Sequence, residues 1–203
     1  MFSCKNLRKS AQEKLSGKYF KYFLFMTVFV IVNTLTTPTG DDAPFILYLI
    51  NLAISSIFTV VSCSIDLNIS KENGKFLPAI DMDLLKTSFK LLILSLIVGF
   101  AVLLGTILLI IPGIIIGLMF SQCFFIVIED NSKSIIDCLK ESCSIMNGNK
   151  LDYFILQLYF LPFILLGILT LGIGFFWIVP IIDVTNSNFY LYAKEQKEKV
   201  IEE

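Results

Sequence analysis

The chain of 203 residues carries 16 basic and 17 acidic side chains, no histidine, and a net charge of −1. It is 56% hydrophobic and only 16% charged, against roughly a half and a quarter in soluble domains. That balance excludes a basic nucleic-acid-binding surface, and the missing histidine removes His-based triads, HExxH zinc hydrolases and imidazole proton relays.

Before the first long apolar run, "LRKSAQEKLSGKYF" spaces Leu7, Ala11 and Leu15 four apart with basic residues between, the pattern of a surface-lying amphipathic helix. Six apolar stretches follow, at 19–36, 44–65, 89–110, 113–129, 151–171 and 174–193. Each approaches or reaches the roughly 20 residues that cross a bilayer core. The first has too long a polar lead-in for a signal peptide, and "TLTTPTGDDAP" after it offers no small-x-small cleavage site. Asp66, Glu72, Asp81 and Asp83 are expected in a solvated loop at 66–83, where they alternate with lysines. The Ile111-Pro112-Gly113 stretch is expected to turn between the third and fourth runs, and "GIIIG" at 113–117 fits a small-xxx-small helix contact. A second amphipathic helix is expected within 133–147, with Ile135, Leu139, Cys143 and Met146 on one side and Gly148 at its end. The polar stretches fall short of the ~50 residues of an independent domain. The expectation is one all-α integral membrane domain over 1–203, with six transmembrane helices in three hairpins and short cytosolic amphipathic helices.

Six spans put both termini on one side, and the charges say which. All 16 basic residues fall before span one, between spans two and three, between four and five, or after six, a few at span edges. The three opposite loops have none. Basic loops stay cytoplasmic, so both termini are expected in the cytoplasm of a multi-pass protein of the cell membrane. Cys4, Cys138 and Cys143 fall on that reducing side, and Cys63 and Cys123 fall within spans, so no disulfide is expected. Without histidine or a CxxC pair, no zinc, other metal or cofactor is expected.

Two internal matches hint at repetition. A shift of 131 lays "SGKYFKYF" at 16–23 over "NGNKLDYF" at 147–154, matching Gly17, Tyr22 and Phe23. A shift of 62 lays "LLG" at 103–105 over "LLG" at 165–167. Such repeats would be parallel, each an amphipathic helix followed by a hairpin.

Several motifs resemble the bacterial membrane family catalogued as domain of unknown function 975. Ala11, Leu15 and Gly17 match its amino-terminal pattern, Pro112-Gly113 its turn, and Asp130-Asn131 its lead into the second amphipathic helix. Ser142, Met146 and Gly148 match its Ser-x3-Met-x-Gly, and Phe154, Leu156, Leu158 and Phe160 its fifth span. Gly172, Gly174, Trp177, Pro180, Thr185, Phe189 and Tyr190 match its last span. Ile181 stands where the family has tyrosine and Ser187 where it often has alanine, and Asp183 lies outside the pattern. The resemblance implies a multispan membrane protein and supplies no activity. The family is also distantly similar to membrane domains of some glycerophosphodiester phosphodiesterases, whose hydrolase chemistry resides in a separate soluble domain.

Asp183 is the one acid deep inside an apolar run, placed near the midplane by counting from a helix start near 174. An acid there costs about 3 kcal/mol on insertion scales, so it should face the bundle interior. Helical spacing sets Asp183, Asn186, Ser187 and Tyr190 on adjoining parts of one face. Gln122, Gln157 and Asn51 on other spans are its candidate partners. This polar group is read either as interhelical hydrogen-bond glue or as a proton, cation or substrate path. No GxSxG elbow or phosphate-binding GxxxxGK[ST] loop exists. The leading expectation is a non-enzymatic scaffold or accessory subunit that contacts the lipid bilayer and a membrane-protein partner, not nucleic acid. The alternative is a small transporter or transporter subunit, substrate unknown, using the polar face around Asp183.

Overall fold

A computed structural model describes residues 3–37, 44–72, 76–77, 82–108 and 110–202. Asp41, Asp42 and Asp81 lie outside the described residues. Within them the chain forms nine helices and no strand: α1 (Cys4–Leu15), α2 (Tyr19–Thr36), α3 (Phe45–Ser70), α4 (Met82–Leu108), α5 (Ile110–Phe120), α6 (Cys123–Glu129), α7 (Ile135–Ile145), α8 (Lys150–Leu169) and α9 (Phe175–Glu202).

Five segments are long and apolar enough to cross a membrane: α2, α3, α4, the stretch Ile111–Glu129 that comprises α5 and α6, and α8. Only 6% of the residues in the first two are buried within the protein, and no more than 33% in any of the five. A soluble bundle would hide its apolar side chains. Here Phe20, Leu35, Phe45, Leu169 and Leu171 stand exposed on the outside, far beyond what a soluble monomer tolerates as patches. The sixth apolar run forms the first part of α9, whose polar middle and charged end keep the helix outside that group.

Helices α1 and α7 lie at one end of the bundle, with most of the charged side chains. Ala11 and Leu15 of α1 are fully buried against Tyr22, Ile65, Ile69 and Val184. Lys14 donates to the Ser70 carbonyl (2.6 Å) and to Asn188 Oδ1 (3.3 Å), capping the end of α3. Arg8 reaches α8, its guanidinium lying 5.6 Å from the Tyr159 ring centre and 5.2 Å from that of Phe163. In α7 the most buried line is Cys138, Ser142 and Ile145, with Met146 after it, while Ile135 and Leu139 pack partly buried beside the core.

The repetition hinted at by the shift of 131 has a structural counterpart. Ala11, Leu15, Gly17 and Tyr22 stand where Ser142, Met146, Gly148 and Tyr153 stand. Both glycines take the left-handed conformation, φ +76° and +86°, and turn an amphipathic helix into a long one. The turns agree bond for bond: Ser16 and Asn147 donate to Glu13 and Ser144, Lys18 and Asn149 to Leu15 and Met146, and Tyr22 and Tyr153 to Lys18 and Asn149. The shift of 62 also has meaning. Gly105 meets Gly113 across the α4–α5 hairpin and Gly167 meets Gly174 across α8–α9, leaving no room for a Cβ at any of the four without displacement.

Three expectations about elements change. Ile111-Pro112-Gly113 belongs to the first turn of α5, where a proline's missing N–H is harmless. Gly113, not the Gly113–Gly117 pair, makes the close contact, since a Cβ at Gly117 would meet only Val102, at 3.8 Å. The run 113–129 is broken at Ser121 and Gln122, which form a turn between α5 and α6.

Candidate functional site

Asp66 is not in a loop. Helix α3 runs on to Ser70, and Asp66 is 3% exposed within it. Its carboxyl group faces Asp183 of α9 across the hydroxyl of Tyr22, in the first turn of α2. That hydroxyl is 2.9 Å from Asp66 Oδ1 and 3.1 Å from Asp183 Oδ2. The position of Asp183 is therefore level with the start of α2 and the last turns of α3, towards the charged end rather than at the middle of the bundle.

One hydroxyl hydrogen cannot satisfy two carboxylates. Two such groups this close are stable only when a proton or a cation is shared between them. Both acids line a half-open pocket of about 350 Å³. Its other polar walls are Thr59, Ser62, Ser121, Tyr153 and Asn186, and Cys63 also faces it. Phenylalanines of α2, α3 and α6 complete it.

The break between α5 and α6 opens onto this cavity through Ser121. Ser142 of α7 donates to the Met119 carbonyl freed there, at 2.7 Å. Helical backbone interrupted within an apolar span is tolerated where it lines a cavity or is capped by protein. Gln122 is fully buried at the break. It donates to Ser121 Oγ (2.8 Å), and its Oε1 has no partner among the described residues.

The remaining residues of the expected polar face separate. Asn186 Oδ1 accepts from Gln157 Nε2 at 2.9 Å, on the cavity side. Ser187 is fully buried with its hydroxyl unpartnered among the described residues. Tyr190 stacks on Phe125 and donates to Glu129 at the end of α6. Glu129 also binds Lys71 (2.5 Å) and Lys194 (2.7 Å), so one carboxylate ties α3, α6 and α9 at the charged end. Asn51 donates to Thr36 and takes no part in the site. Asp183 thus bonds to none of the partners expected for it. Tyr22 and Asp66 were missed because an aromatic at a span's start reads as an interface residue, and because the apolar run was ended at its first charge.

Outside the long apolar segments, Ser134 begins α7 and donates to Asp137 Oδ2 at 2.6 Å while accepting from the Asp137 N–H. The Ser134 hydroxyl holds the Asp137 carboxyl below the usual carboxylate range. The hydrogen bond to Glu141 raises Lys133 above the usual lysine range.

Fold and site together define an all-helical bundle with candidate membrane spans around an internal acid pair. Residues 101–197 match the family described as protein of unknown function (DUF975). The match covers the Ser142, Met146 and Gly148 motif but not its amino-terminal counterpart at Ala11, Leu15 and Gly17, nor Tyr22 and Asp66. No curated protein and no solved structure matches the chain.

Proposed function

We propose that the protein is a six-span integral membrane protein of the bacterial cytoplasmic membrane, with both termini cytoplasmic, acting as a small transporter or transporter subunit that binds a monovalent cation or proton. The carrying observation is the Tyr22 hydroxyl held between Asp66 and Asp183, two acids on the wall of a half-open pocket. Interhelical glue requires neither the cavity nor a second acid. Three further features support the reading. The broken α5–α6 segment borders the cavity, as discontinuous helices border transporter sites. The equivalent residues Tyr22 and Tyr153 come from two parallel repeats, and Tyr153 and Tyr22's two carboxylate partners border the same space. The role proposed is non-enzymatic, resting on a shared acid pair rather than on a nucleophile. A membrane-protein partner is compatible with a subunit role.

Topology is tested by labelling Leu171→Cys and Lys140→Cys with an impermeant maleimide in intact cells, after replacement of reactive native cysteines. Reaction at 171 alone is expected. Reaction at 140 alone inverts the arrangement. Transport is tested in liposomes loaded with a pH-sensitive dye and pulsed with sodium, potassium or ethidium. At least one cation should move protons through the wild type, and none through Asp183→Asn. A wild type indistinguishable from empty liposomes for all three overturns the transport reading.

A further inference from the structure

We infer that the cavity binds a lipophilic, aromatic, monovalent organic cation, with its charge at Asp66 and Asp183 and its apolar body among the phenylalanines. This rests on the transport reading and narrows its ligand.

Two carboxyls joined by one hydroxyl and sharing one proton carry one net negative charge, and no lysine or arginine stands among the cavity's lining residues to neutralise it. The matching ligand has a single positive charge. The carboxyl groups of Asp66, itself 3% exposed, and Asp183 line the pocket and are where that charge is received.

An inorganic cation fits poorly. Hard ions take about six or more oxygen ligands, and most oxygens here are committed. Thr59 donates to the Ser55 carbonyl, and Asn186 Oδ1 accepts from Gln157. A space of about 350 Å³ also falls in the range of drug-sized ligands rather than of a bare ion.

The apolar part of the lining is mostly phenylalanine, set beside the polar side chains of Thr59, Ser62, Ser121, Tyr153 and Asn186. Phe58 lies with its ring centre 5.8 Å from Phe25 and 5.0 Å from Phe29, and Phe124 and Phe125 face the space from α6. Ring faces attract an organic cation, most strongly where water is absent, and their area rewards burial of an apolar body. An acid at one end and rings on the apolar side make a site for a charged aromatic amine, not for a sugar, an anion or a free amino acid.

The test uses the full chain in lipid nanodiscs, with ethidium as the probe and empty nanodiscs as the control. Saturable, one-to-one fluorescence enhancement is expected in the wild type. Asp66→Asn combined with Asp183→Asn should weaken it at least tenfold, since together they remove the pair's net charge while keeping the hydrogen-bonding shape. Phe58→Leu should weaken it severalfold while leaving the acids in place. Thermal unfolding of each variant establishes that it is folded, and a variant that fails to fold is replaced by Asp66→Glu or Phe58→Met, for which weaker binding is likewise expected. Saturable binding that neither substitution at either position weakens overturns the assignment to this cavity. No saturable ethidium binding, together with sodium- or potassium-driven proton movement lost in Asp183→Asn, overturns the ligand class and leaves the transport reading standing. Absence of both removes both.

Discussion

Tyr22 and Tyr153 occupy one position in two copies of the same turn, 131 residues apart, and each lies in the first turn of a long helix, five residues after a left-handed glycine. Tyr22 bonds the acid pair, and Tyr153 lines the same cavity. The amphipathic helix before each tyrosine is therefore part of the machinery that aims it, through Ala11 and Leu15 in one copy and Ser142 and Met146 in the other.

The equivalence predicts equal costs. Gly17→Ala and Gly148→Ala each place a Cβ in the left-handed region and should destabilise by about 1–2 kcal/mol, read by thermal unfolding in detergent. Gly99→Ala, in the middle of α4 with open space at its Cβ position, should be neutral or gain up to about 1 kcal/mol. A loss at Gly17 without one at Gly148 would break the equivalence.

The hairpins make a sharper case. A Cβ at Gly113 would fall 2.3 Å from Thr106 Oγ1 and 2.8 Å from its backbone N, so Gly113→Ala forces α4 and α5 apart and should cost about 1–3 kcal/mol. Gly117→Ala meets nothing nearer than 3.8 Å and should leave the unfolding temperature within about a degree, because a ΔΔG well under 0.5 kcal/mol moves it little. Equal losses at both would mean that the two helices pack along the Gly113–Gly117 face after all.

At α7 the prediction concerns pH. Because its folded form lies below the usual carboxylate range, ionised Asp137 adds stability above its unfolded pKa of about 3.9, and that gain disappears as pH falls through the folded value. Wild type and Asp137→Asn should therefore differ in unfolding temperature at pH 6 and converge towards pH 3. A difference unchanged across that range would show that the Ser134 contact does not depend on charge.

Apolar length set the bounds of two helices: the run 19–36 is α2 itself, and 151–171 differs from α8 by one or two residues. By contrast, α3, α4 and α9 extend well past their apolar runs, and 113–129 divides in two. The site was half legible. Asp183 stood out as a charge inside an apolar run, but Asp66 was lost at the edge of one, although Ile65 and Ile69 continue the apolar helical spacing on either side of it. The polar pair Ser121 and Gln122 marked the α5–α6 break, yet hydropathy averaged over a span conceals two residues. What joins Tyr22, Asp66 and Asp183 is the packing of three helices distant in the chain, which no local pattern records.

The account's central claim is that Asp66 and Asp183 form one unit. It is tested most directly by a double-mutant cycle, with Asp66→Asn, Asp183→Asn and the double variant compared by unfolding free energy in the same detergent. Asparagine keeps the shape and bonds Tyr22 but needs no shared proton. Either single change should thus relieve the pair, and the second should add little, giving a coupling of about 1 kcal/mol or more. Effects that add within roughly 0.5 kcal/mol would mean that the two acids act independently, and the shared site would be wrong.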